Sequence, residues 1–162
     1  YMVQPEDYIL NFGRDDPRGL QCPLGAHVRR ANPRDSLQPG DEQEVGIVNR
    51  HRLMRRGRNY GRDADEKGLF FIAICEDLER QFEFVQRSWL QAEGFHDLNR
   101  ESDPLIGQCP VGEGTFSIPT HAGTTTARGL SAFTTMRAGG YFFLPSRSAL
   151  RYLANPHNRS AT

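Results

Sequence analysis

A chain of 162 residues with 20 basic and 20 acidic side chains is long enough for one domain with a buried core and carries no net charge. That balance offers no electrostatic argument for nucleic acid or a membrane surface as partner, and no apolar run reaches the roughly 20 residues of a membrane span. Hydrophobic residues at 37%, with 16 glycines and 10 prolines, leave much of the chain to loops and solvated surface.

In chain order, Asp7 to Phe12 reads as a short strand and Gly13 to Gly19 as a loop, by its Asp-Pro and glycine content. The stretch Cys22 to Arg34 ends in a turn at Asn32-Pro33, because the residue before proline is kept out of the helical region. Ser36 to Glu44 is a polar loop. Val45 to Met54 alternates and predicts a strand running to Gly57, and Tyr60 to Gly68 is a charged turn. Leu69 to Cys75 is a continuous apolar run, the pattern of a buried central strand. Asp77 then caps a predicted helix, with Arg80 and Gln81 in its first turn. Leu78, Phe82, Val85 and Trp89 form one face of that helix, and Gly94 ends it. Residues 95–114 read as loop, and Thr115 to Pro119, Phe133 to Met136 and Gly140 to Pro145 as short strands. Ser146 caps a last helix with Leu150 and Leu153 on its inner face. This order predicts an α+β fold with a mainly antiparallel sheet.

Three widely spaced cysteines, Cys22, Cys75 and Cys109, form no CxxC or CxxCH pattern. They point to free thiols in a reducing compartment, with neither a zinc site nor a covalently attached haem. No secretory signal is visible, so the cytoplasm is the expected location. Of the basic residues only Lys67 is a lysine; base composition of the gene explains such a bias, as does a need for fixed-geometry ion pairing.

Two places carry chemistry. His27 sits between Gly25-Ala26, which lets a flat macrocycle approach the backbone, and Arg29, Arg30 and Arg34. Neutral imidazole is a ligand for haem iron, and arginine clamps carboxylates such as propionates. A lone histidine is more often structural, and His51, His96, His121 and His157 read as surface residues. Arg55 and Arg56 end the predicted strand; adjacent strand residues face opposite sides, so one enters a pocket while the other meets solvent. A pocket arginine stabilises negative charge as a peroxide bond breaks; two solvated edge arginines is the plainer reading.

The segments CPLGAHVRRANPRD, NRHRLMRRGRNYG, GLFFIAICEDLERQFEFVQRSWL, DPLIG and GGYFFLPSRSAL, in this order over nearly the whole chain, resemble the C-terminal half of the dye-decolourising (DyP-type) haem peroxidases. The resemblance implies a ferredoxin-like antiparallel sheet with helices on one face, the C-terminal unit of a two-unit dimeric α+β barrel. It also implies one haem-binding domain over residues 1–162, with the N-terminal half of the family fold absent. Haem b would be the cofactor, His27 its axial iron ligand and Arg55 the distal arginine. Arg30 and Arg34 would be propionate partners, and Asp103 or Glu101 the carboxylate behind the histidine. The implied reaction is two-electron reduction of hydrogen peroxide at ferric haem, followed by two one-electron oxidations of a phenolic or dye-like donor. Tyr60, Trp89 and Tyr141 are oxidisable side chains for relaying those electrons, with core packing the plainer role for Trp89.

The departure from the family is an acid. The Gly-x-x-Asp-Gly motif that carries the family's distal aspartate is missing, and no Asp-Gly dipeptide occurs. A second chain, or a missing N-terminal half, would have to supply it. Two other readings stand beside the peroxidase: a thiolate-ligated regulatory haem at Cys22-Pro23 or Cys109-Pro110, and a non-catalytic α+β module or haem-binding fragment that associates with a partner chain through an exposed sheet edge.

Overall fold

The structure, a computed structural model, describes residues 11–155 apart from 42 and 63–65. Most of the strand expected over Asp7 to Phe12 lies outside the described residues. Phe12 instead opens a single helical turn, α1 (Phe12–Asp15). The turn is fixed from a distance: the Asp35 carboxylate accepts the Gly13 N–H at 2.9 Å and the Arg14 N–H at 3.1 Å. Only glycine fits at position 13, since a Cβ there would lie 2.0 Å from the Asp35 carbonyl oxygen. The second helix, α2 (His27–Ala31), stops at Asn32, whose φ of −153° and ψ of 85° leave the helical region as Pro33 requires.

The strand expected over Val45 to Met54 is in its first half a helix, α3 (Glu44–Asn49). The buried residues are Glu44 and Val48, four apart, while Val45 and Ile47 are exposed, so the burial follows a helical period. Strand β1 (Met54–Tyr60) begins only after it and pairs antiparallel with β2 (Gly68–Ile74), Arg55 opposite Ala73 and Gly57 opposite Phe71. The turn between them is where the charge cluster placed it. Strand β2 is not the buried central strand its composition predicts: Leu69 is 61% exposed and Phe70, Phe71 and Ile72 are exposed with it. The two strands form a ribbon of their own, and no third strand joins it among the described residues.

Helix α4 (Glu79–Glu83 and Val85–Leu90, joined through Phe84) is wound wide, with Glu83 N–H bonding Leu78 C=O and Gln91 N–H bonding Gln86 C=O, both five residues back at 2.9 Å. Its start is the expected one. Asp77 Oδ1 accepts the Arg80 N–H at 2.9 Å, and the Gln81 side-chain oxygen reaches back to the N–H groups of Glu76 and Asp77. The helix ends earlier than Gly94, at Leu90, with Gln91 as its C-cap.

A second ribbon follows, β3 (Gly114–Thr120) with β4 (Gly123–Leu130). The first was expected. The second, Thr-rich and without apolar alternation, was not; its β-branched residues suit a strand but give no face to read. Phe133 to Met136 and Gly140 to Pro145 are not strands. Helix α5 (Arg147–Ala154) is capped as predicted, Ser146 Oγ accepting the Ala149 N–H at 3.2 Å, but Leu150 and Leu153 are exposed rather than turned inward. The α+β class with antiparallel pairing therefore stands, its strands divided among the described residues into two separate ribbons.

The core sits where α2, α3 and α4 converge: Val48, Val85, Trp89, Leu90 and Phe95, with Ala31, Phe84 and Ile106 against them. No helix among the described residues is long and apolar enough to cross a membrane. Beside the core, His96 holds a left-handed backbone (φ 53°) and places Nε2 2.9 Å from Ser36 Oγ. The Ser36 proton goes to the Pro33 carbonyl at 2.8 Å, so the His96 Nε2–H donates to the Ser36 oxygen. Burial holds this ring's pKa down at about 4, the nearby Arg29 charge adding to the effect.

Because the unfolded chain binds that proton and the folded one does not, stability is full above the ordinary histidine value of 6.5 and falls as pH drops toward about 4. Urea unfolding midpoints should decline across that window. His96→Asn, which tolerates the left-handed backbone, should flatten the decline.

Candidate functional site

Helix α2 is held from two sides, and both clamps are arginines. Arg29, 1% exposed, donates from Nη1 to the carbonyls of Asp16 and Cys22, each at 3.0 Å, and lies 3.6 Å from the Asp16 carboxylate. That carboxylate in turn accepts the N–H groups of Leu20, Gln21 and Cys22, so the loop before α2 is wound around one acid. Arg30 is fully buried, lies 5.0 Å from the Phe95 ring centroid and donates its hydrogen bonds to backbone among the described residues. Nε donates to Gly25 C=O at 3.2 Å, Nη1 to Trp89 C=O at 2.8 Å and Ala92 C=O at 2.9 Å, and Nη2 to Glu101 C=O. Two of these acceptors lie at or just past the C-terminal end of α4, where carbonyls lack intrahelical partners and a cation is favoured. Burial pulls the guanidinium below its ordinary value, and the Asp103 and Glu101 carboxylates pull it back.

These clamps set His27 against Asp103. The His27 Nδ1 lies 2.9 Å from Asp103 Oδ2; the carboxylate side chain is completely enclosed, while the imidazole is 38% exposed. Nδ1–H donates to the carboxylate, which fixes the tautomer and leaves Nε2 without a partner among the described residues. Asp103 is itself immobilised. Its Oδ1 accepts the N–H groups of Leu105 and Ile106 at 2.9 and 3.0 Å, its N–H donates to Leu90 C=O at 2.8 Å, and its carbonyl accepts from Gly107. Gly107 is required by that turn, since a Cβ would lie 2.3 Å from the Asp103 carbonyl oxygen.

Of the two carboxylates expected behind the histidine, Asp103 makes the contact. Glu101 is buried next to Gly25 and uses Oε2 to accept the Ser117 N–H at 2.8 Å, tying β3 to the same loop. Arg30, expected beside propionates, is a correction: a fully buried guanidinium committed to backbone carbonyls has no surface for a ligand. Arg34 lies with its guanidinium 4.6 Å from the Phe12 ring centroid. Arg55 stands on the exposed ribbon, and its guanidinium has no hydrogen-bond or ion-pair partner among the described residues. The structure thus brings His27, Asp103, Glu101 and Arg30 together, and Arg55 takes no part in their hydrogen bonds. Asp16 was missed in the sequence; its one signal was an acid before proline followed by a run of N–H donors, which reads as an ordinary turn.

The three cysteines are free thiols, as their spacing suggested, and burial pushes the Cys22 thiol up, away from the thiolate a Cys22-ligated haem would need. Among the described residues no group of three or more His, Cys, Asp and Glu side chains is arranged to hold a bare metal ion. A single imidazole backed by a buried carboxylate instead suits a macrocycle that brings its own equatorial ligands, and it fits haem.

The family model described as "Dyp-type peroxidase, C-terminal" matches residues 11–122. The chain is 32% identical to the multifunctional dye peroxidase DyP2 of Amycolatopsis sp. over 85% of its own length and 33% of that protein's. It is 31% identical to the dye-decolorizing peroxidase msp1 of Mycetinis scorodonius over 87% of its length and 31% of the relative's. It therefore spans about a third of these curated relatives. Among solved structures it superposes on a DyP-type peroxidase of Anabaena sp. with a TM-score of 0.63 and 26% identity, covering 74% of this chain and 28% of that one. On DyP2 of Amycolatopsis sp. the TM-score is 0.57 at 28% identity, covering 75% and 29%.

Arg30→Met keeps bulk but leaves four carbonyls without their donor, three of them in buried hydrogen bonds, so it should lower the unfolding free energy by about 3 kcal/mol or more. Arg30→Lys should recover only part of the loss, because an ammonium cannot reproduce the planar fork. Urea denaturation of the three proteins checks both.

Proposed function

The chain belongs to the Dyp-type peroxidase family, and we propose that it is the haem-binding C-terminal unit of such an enzyme, in which His27 would hold the iron of haem b through Nε2. The observation that carries this reading is the 2.9 Å contact between His27 Nδ1 and the enclosed Asp103 carboxylate. An anionic acceptor on Nδ1–H orients the ring and makes Nε2 a stronger donor to a metal. Bound there, haem would supply the two-electron reduction of hydrogen peroxide and the one-electron oxidation of aromatic donors.

The protein's own contribution is positional and electrostatic. Asp103 holds the imidazole in one tautomer, and Arg30 and Gly107 hold Asp103 and α2 in register. Arg34, at the end of the same segment and near the surface, remains a propionate partner in this reading. Arg55 brings an uncommitted positive charge on β1, suited to stabilising negative charge that develops on peroxide oxygen. Proton transfer between the two peroxide oxygens needs an acid–base group that this chain does not identify.

A second segment, from a longer form of the chain or from another chain, supplies that group in this proposal and covers the exposed ribbon. Its apolar side chains, Leu69 to Ile72, need such a cover, as do Phe142 and Phe143, which are 90% and 87% exposed. The same exposed strands are what a non-catalytic partner-binding module would use, and uptake of haem separates the two.

In the assembled protein, His27→Ala should eliminate stoichiometric haem, read as loss of the Soret band and of pyridine haemochrome. Full occupancy in that variant would remove His27 as ligand. Arg55→Leu should retain haem and slow its reaction with hydrogen peroxide by about a hundredfold, in line with losing one charge-stabilising group; stopped-flow absorbance gives the rate, and an unchanged rate would take Arg55 out of the mechanism.

A further inference from the structure

The β1–β2 ribbon has two faces, and the peroxide role of Arg55 belongs to one of them. Arg55 and Gly57 share that face with Ala73 and Phe71, and the Phe71 ring stands 6.2 Å from Phe82 of α4, so it is turned toward the helix. Met54, Arg56, Arg58 and Tyr60 lie on the other face, opposite Ile74, Ile72, Phe70 and Gly68, and every residue of β1 is exposed. Six arginines fall between positions 50 and 62 with no acid among them, and none forms an ion pair among the described residues. Arg56 Nη1 reaches the Arg55 carbonyl at 3.1 Å and keeps its other donors; Arg58 has no hydrogen-bond partner among the described residues. Pairing with β2 takes one edge of β1. Along the outer edge its main-chain N–H and C=O groups have no strand partner among the described residues.

From this we propose that the outer edge of β1 is the docking site of an acidic, extended polypeptide segment, added as a third strand with carboxylates directly opposite Arg56 and Arg58. Main-chain pairing gives such a strand its affinity, and its alternate side chains give specificity. Residues that face each other across a strand pair stand about 5 Å apart at Cβ, within reach for each guanidinium to bind a carboxylate. The charge argues against other occupants. A second copy of β1, paired antiparallel about Gly57, sets Arg56 against Arg58, a like-charge contact. A nucleic acid neutralises the arginines but has no peptide groups to fill the edge. Charges placed only to keep an edge solvated are the plainer alternative. Here Phe70 and Ile72 stand exposed directly across from the two arginines, an apolar row that solvated charges leave uncovered. The proposal gives a chemistry to the second segment that the peroxidase reading puts over this ribbon, and it rests on that reading only for the segment's origin.

A short labelled peptide alternating valine and glutamate, blocked at both ends, tests this on the full chain without haem. Its fluorescence anisotropy should rise saturably, and amide hydrogen exchange along Met54–Tyr60 should slow on binding. The valine–lysine counterpart should not bind. Arg56→Gln with Arg58→Gln should weaken the glutamate peptide about tenfold, the worth of two cross-strand charge pairs. Arg50→Gln with Arg62→Gln removes as much charge away from the strand and should change the affinity by less than about twofold. N-methylation of the peptide keeps its charge but blocks strand addition, so it should abolish binding with the protein unaltered. Equal weakening by the two arginine pairs, undiminished binding of the methylated peptide, or binding of the lysine peptide would overturn the proposal. So would displacement of the glutamate peptide by a lower concentration of oligothymidylate. Neither His27 nor haem enters the assay, so a failed haem-binding result for His27 would leave the proposal standing.

Discussion

One guanidinium organises the site. Arg30, enclosed and donating its hydrogen bonds to main-chain carbonyls, joins the turn at Gly25 before α2 to the C-terminal end of α4 at Trp89 and Ala92 and to Glu101 on the loop that carries Asp103. Arginine is the one side chain with enough donors in a rigid plane to serve these carbonyls at once. The His27–Asp103 contact follows from this join, since its two partners sit on segments that Arg30 ties together. The geometry also explains the pair's unequal exposure. The carboxylate is sealed by its own turn, and the imidazole is the edge of the site that remains open.

The rest of the chain is less self-sufficient. The core is small and lies around α3 and α4, whereas the β1–β2 ribbon shows a row of large apolar side chains to solvent. Such a surface is more than a small domain keeps without a partner. Arg55 belongs to this ribbon, so whatever covers it also decides what Arg55 faces. The proximal half of the proposed chemistry is therefore built within the described residues, and the distal half depends on what joins them.

Local signals in the sequence were read well where chemistry and backbone agreed. Asn32-Pro33 ended α2, Asp77 and Ser146 capped their helices, and the charge cluster after Tyr60 turned the chain. Reading failed where a pattern had two solutions. Val45 to Asn49 alternates like a strand, but only Val48, four residues from Glu44, faces the core. Leu69 to Cys75 has the composition of a central strand, and composition cannot say whether a neighbour is present to bury it. The Thr-rich β4 offered no apolar face to detect. At the site, the resemblance pointed to Asp103 or Glu101 behind His27, and Asp103 is the one that touches it; the hydrogen bonds of the arginines left no trace in the sequence. A run of arginines beside a candidate ligand histidine suggests anion binding, and nothing in the run reveals that two of them, Arg29 and Arg30, are spent on backbone carbonyls.

The central claim is that His27 binds haem iron through Nε2 while Asp103 accepts its Nδ1 proton. Resonance Raman spectroscopy of the ferrous, haem-loaded protein measures both at once through the iron–histidine stretching band. The account predicts that the band is present and that Asp103→Asn lowers its frequency, because a neutral acceptor polarises the imidazole less. A band at the same frequency in the two proteins, or none in the unsubstituted one, would contradict it.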